Sequence, residues 1–127
     1  MFRGLMIGAA ALTAVALSSG GPARADEAQE VTTAGQHAGM AAGSADIKMV
    51  HLHLHHVVNC LVGPAGDGFD KDAGNPCDGK GNGAIADAGD KAGPLKEIAM
   101  RAEEGIKSDD LATAKKIAGE VQMMLTK

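Results

Sequence analysis

The sequence predicts an all-α protein: a small three- or four-helix bundle with a long Gly/Asp/Asn-rich loop and one disulfide. Three observations carry this expectation. Apolar residues recur at helical spacing around residues 47–61, 95–106 and 111–125. Only a few residues separate the last two windows, and such short connections make antiparallel neighbours. The 127 residues include two Phe and no Trp or Tyr, so one small core must be built from Ala, Val, Ile, Leu and Met.

Residues 1–25 read as a secretory signal peptide. Arg3 supplies a positive start, the run from Leu5 to Leu17 a short apolar stretch, and Ala23-Arg24-Ala25 a small-x-small cleavage site. The apolar run is shorter than the roughly 20 residues that span a bilayer. The expectation is an exported chain, periplasmic or secreted, with one helical domain over 26–127. Cleavage removes Arg3 and Arg24 and leaves ten Lys and Arg against sixteen Asp and Glu, a charge of about −6. With no basic patch, nucleic acid and an anionic membrane surface are poor partners, while cations are favoured.

Helices are expected over 26–43 and 45–62. Asp26, Glu27 and Glu30 place negative charge in a first turn, where the helix dipole favours it, and Val31, Ala34, Ala38 and Ala41 form a thin apolar stripe. Gly43-Ser44 breaks the chain, with Ser44 as N-cap of the next helix. There Ile47, Val50, Leu54, Val57, Val58 and Leu61 converge on one side, and Gly63-Pro64 ends the helix. A strand competes over His51–Val58, where His and Leu alternate, and would set His51, His53 and His55 on one face. The longer window favours helix.

Residues 64–93 are expected to form a loop. Asp67, Asp70, Asp72, Asn75 and Asp78 are oxygen donors suited to Ca²⁺ or a trivalent ion. An EF-hand frame fails: from Asp70 the glycine comes one place early and no Glu stands at the twelfth position, and from Asp78 Lys80 occupies a ligand position. The same residues equally serve turns. Cys60 and Cys77, seventeen apart, pair as a disulfide in an oxidising compartment; free thiols for a soft metal or redox chemistry are the alternative. A helical hairpin closes the chain over 94–107 and 109–126. Pro94 opens it, Ser108-Asp109 turns and caps it, and Met123 and Met124 fill gaps in the core.

Four of the five histidines fall within residues 51–56. Imidazole is the commonest protein metal ligand. On a helix His51 and His55 share a face at i and i+4, and His37 can complete a three-nitrogen site if the two helices run antiparallel. His53, His56 and Cys60 form a second stripe that Met49 extends, a softer set if Cys60 is reduced. The plain alternative is that these histidines are exposed polar positions. Copper or zinc is favoured, with nickel or cobalt also compatible.

No Gly-x-Ser-x-Gly, His-Glu-x-x-His, P-loop, Cys-x-x-Cys or Cys-x-x-Cys-His motif occurs, so no enzyme class is indicated. An exported helical bundle with helix-borne His and Met resembles periplasmic metal-sensing and metal-buffering proteins in composition and export, without a shared motif. The expected function is non-enzymatic binding of a transition metal, for buffering, delivery or sensing. Two alternatives stand beside it: a hard-ion binder using the Asp/Asn loop, and a disulfide-stabilised module that docks a periplasmic protein partner.

Overall fold

The computed structural model describes residues 22–127. The signal-peptide reading therefore lies almost entirely outside the described residues. Five helices and no strand are present among them: α1 (Pro22–Gly43), α2 (Ile47–Val62), α3 (Ala84–Ala88), α4 (Gly93–Lys107) and α5 (Leu111–Leu125). The strand alternative for His51–Val58 is thus overturned, because the apolar arc of α2 keeps its 3.6-residue period through Leu61.

The four long helices close a ring in which α1 lies beside α2 and α5, and α4 also lies beside α2 and α5. Val50, Leu54, Val57 and Leu61 of α2 meet Leu95, Ile98 and Ala102 of α4 and Ile117, Val121 and Leu125 of α5 in one core. From α1, Ala34, Ala38 and Ala41 are fully buried and let the neighbouring helices approach closely. Met123 and Met124 are exposed instead of filling the core, because Val121 and Leu125 already occupy the buried side of α5. No helix among the described residues is long and apolar enough to cross a membrane.

Several local signals fall one to four residues from their expected place. α1 begins at Pro22, so Asp26, Glu27 and Glu30 lie beyond its first turn, and Glu30 is fully buried. Asp46, not Ser44, caps α2 by accepting from the Lys48 N–H, while Ser44 Oγ donates back to the Met40 carbonyl. Asp110, not Ser108-Asp109, caps α5 by accepting from the Thr113 N–H at 2.8 Å. A carboxylate accepts this bond better than a hydroxyl and also meets the positive end of the helix dipole.

The segment 64–92 is less open than its composition suggests. α3 and a 3₁₀ turn at Gly89–Lys91 occupy its second half. Its first part leaves α2 at Gly63 and returns to the same point at Gly83, both with positive φ, of 72° and 105°. A Cβ on Gly83 would lie 2.6 Å from the Gly63 nitrogen, so this closure needs glycine at both ends. The Cys60–Cys77 disulfide, with Cα atoms 5.2 Å apart, holds the loop onto α2.

Candidate metal centre

The hairpin of α1 and α2 turns in three residues, so the two helices run antiparallel and His37 comes level with the middle of α2. It meets His53 and His56 there. The His37 Nδ1 lies 3.1 Å from His53 Nδ1 and 3.2 Å from His56 Nδ1. One ligand atom from each of the three rings lies within 4.8 Å of the others, close enough to hold a metal ion. A tetrahedral ion with bonds of about 2.0–2.1 Å spaces its nitrogens about 3.3 Å apart, so the two resolved edges are near that geometry. All three rings are partly exposed, which leaves the centre open toward solvent.

The orientation of His56 is set from the far side. Its Nε2 lies 2.7 Å from the Ala73 carbonyl oxygen, a contact that requires an N–H. In the neutral ring the lone pair then sits on Nδ1, facing His37. Metal-bound histidines use their other N–H in this way to fix tautomer and ring angle. Burial, then the neighbouring His56 and His53, together push the His37 imidazole down to about 4. Burial, then His56, also lowers His53. At neutral pH, His37 and His53 are therefore uncharged and offer a nitrogen lone pair.

The loop on both sides of Ala73 is itself held by a side chain of α2. Asn59 is fully buried and donates from Nδ2 to the carbonyls of Asp70 and Gly74, both at 2.7 Å; its Oδ1 accepts from the Asp70 N–H at 2.8 Å. Asp70 Oδ1 accepts from the N–H groups of Asp72 and Ala73. A path of hydrogen bonds thus runs from Asn59 through the loop to Ala73 and His56, whose Nδ1 faces His37.

The structure sets the remaining candidates elsewhere. His51 donates from Nε2 to the Ser108 carbonyl at 2.8 Å, at the end of α4. His55 Nδ1 lies 3.4 Å from Asp70 Oδ2. These two occupy the α4 side of α2, whereas His53 and His56 occupy the α1 side, so His37 joins the second stripe rather than the i,i+4 pair. Met49, one turn before His53, is exposed. Cys60 and Cys77 are joined to each other, which leaves no free thiol among the described residues. In the loop, Asp70 and Asn75 serve turns, Asn75 by accepting from the Cys77 N–H, while Asp67, Asp72 and Asp78 are exposed. No three acidic groups among the described residues bring ligand oxygens as close together as the histidine nitrogens.

Sequence reasoning passed over Asn59 and Ala73. Asn59 carried a legible signal, since a polar residue inside Val57-Val58-Asn59-Cys60-Leu61 must find partners if that face is covered. Ala73 had none, because it acts through its backbone. No family model matches the chain, and no curated protein or solved structure matches it.

Proposed function

We propose that the protein binds one transition-metal ion through Nδ1 of His37, His53 and His56, and buffers, delivers or senses that ion outside the cytoplasm. The observation that carries this reading is the convergence of the three nitrogens, with His56 oriented by the Ala73 carbonyl. An all-nitrogen set suits a borderline ion, copper or zinc before nickel or cobalt. Three protein ligands leave a position for water or for an exchanging donor, and partial exposure lets the ion load and leave from the surface. Such a site suits a carrier or sensor better than a closed structural centre. The absence of a nucleophile–base motif in the sequence favours a non-enzymatic role. The N-terminal pattern and the disulfide favour export to an oxidising compartment.

Elemental analysis of protein purified without affinity tag or chelator tests the reading directly. About one equivalent of copper or zinc is expected, lost in His37→Ala and His53→Ala. No retained metal after loading and desalting would overturn it.

A further inference from the structure

A second group of ligating side chains lies away from the histidines. Asp26 and Glu30 stand one turn apart on α1, and Asp87 reaches toward them from α3. All three crowd the backbone at Gly81: a Cβ there would meet Asp87 Oδ2, Glu30 Oε1 at 2.7 Å and Asp26 Cβ at 2.9 Å. Glu30 is fully buried; its Oε1 accepts from the Gly83 N–H at 2.8 Å, but its Oε2 has no partner. Asp87 accepts from the Asn82 N–H at 2.9 Å and, at 3.4 Å, from Asn82 Nδ2. Among the described residues 26–127 no Lys, Arg or His forms an ion pair with any of the three carboxylates.

A buried carboxylate with other anions beside it and one oxygen unpartnered is costly. Burial, opposed by the Gly83 N–H and reinforced by Asp87 and Asp26, pushes the Glu30 carboxyl up to about 7. A cation placed against the unpartnered oxygen would supply the missing charge.

We propose that Glu30 Oε2 and the Asp87 carboxylate form a two-carboxylate, oxygen-only site for a hard divalent cation of the calcium class, with Asp26 adding negative charge nearby rather than a ligand. Calcium accepts irregular sets of six to eight oxygens, so backbone carbonyls and water complete a shell begun by two carboxylates, and the weaker, extracellular class of calcium sites has affinities near 10⁻⁴–10⁻³ M. The donor set contains no nitrogen or sulfur and does not compete for the ion of the histidine centre. Glu30 and His37 are two helical turns apart on α1, about 10 Å along its axis, so the two ions are held separately. The cation would tie α1 to α3 and to the end of the loop at Gly81–Gly83, and so act as a structural clamp.

Calcium chloride titrated into metal-free protein at pH 7.5, followed by calorimetry and thermal unfolding, tests the site. We expect one bound Ca²⁺ and a Tm raised by roughly 5 °C or more at ten times its Kd. The response should disappear in Glu30→Gln and in Asp87→Asn, and persist in His37→Ala. The two carboxylate variants keep the test open should either fail to fold. Absence of binding and of a Tm shift up to 10-fold above about 10⁻³ M would overturn the proposal. So would a shift that survives in both carboxylate variants. A carboxyl pair that only shares a proton would gain stability toward acid pH and ignore calcium, which also overturns it.

Discussion

His56 and Ala73 stand 17 residues apart, yet the 2.7 Å contact between His56 Nε2 and the Ala73 carbonyl decides which nitrogen of His56 faces His37. The ligand set follows from that orientation. His37→Ala, His53→Ala and His56→Ala should each lower zinc or copper affinity by about 100-fold or more, whereas His51→Ala and His55→Ala should change it less than about threefold. Competition titration against a chromophoric chelator measures this. An intact affinity in the first three variants would move the site to the other face of α2.

Asn59 is expected to serve both stability and the centre. Asn59→Ala removes three hydrogen bonds that a buried side chain makes to the loop and leaves a void in their place, at a cost of about 2–4 kcal/mol in urea unfolding. By freeing Ala73 it should also weaken metal binding about tenfold, the scale typical of lost outer-sphere support. A fall in stability with unchanged affinity would separate the loop from the metal.

Reduction of Cys60–Cys77 removes a cross-link across 17 residues. Denaturant unfolding with and without a phosphine reductant should show a loss of about 3 kcal/mol. Metal affinity should fall in parallel, since the disulfide and Asn59 anchor the same loop.

The pH dependence of metal-free, calcium-free protein combines opposed contributions, His53 adding in the same direction as His37. His37, at about 4 folded against an ordinary 6.5, makes the unfolded chain bind more protons between those values, so stability falls as pH drops from 6.5 to 4. Glu30, at about 7 against 4.5, makes the folded chain bind more, so its contribution is full below 4.5 and lost as pH rises to 7. Each swing is of order 1–3 kcal/mol. The native protein should therefore change less between pH 4.5 and 6.5 than Glu30→Gln, which should gain stability more steeply as pH rises over that range. Urea midpoints at four pH values check the difference, and parallel curves would contradict it.

Two glycines in helices should respond oppositely to alanine. At Gly105 of α4 a Cβ would sit 2.7 Å from Leu54 Cδ1 and 3.1 Å from Ile117 Cγ2, so Gly105→Ala should lose about 1–3 kcal/mol through overpacking despite its better helix propensity. At Gly119 of α5 nothing lies within 4 Å, and Gly119→Ala should gain up to about 1 kcal/mol. Thermal melts of the two variants test the pair.

By itself the sequence determined what local rules can reach. Apolar spacing at i, i+3 and i+4 specified the long helices, Gly63-Pro64 and Gly93-Pro94 marked their limits, and two cysteines implied one cross-link. The histidine cluster was equally plain. Which histidines meet was not, because α2 carries ligands on both flanks and local spacing treats the flanks alike. Tertiary packing chose between them: burying the arc of Val50, Leu54, Val57 and Leu61 against α4 and α5 put His53 and His56 beside α1, and turned His51 toward the end of α4. The same packing buried Glu30 and carried Ala73 back to His56. Contacts between residues 16 to 57 apart depend on the order of helices round the core and the path of one loop, and those are set by the burial of the whole chain rather than by any short segment.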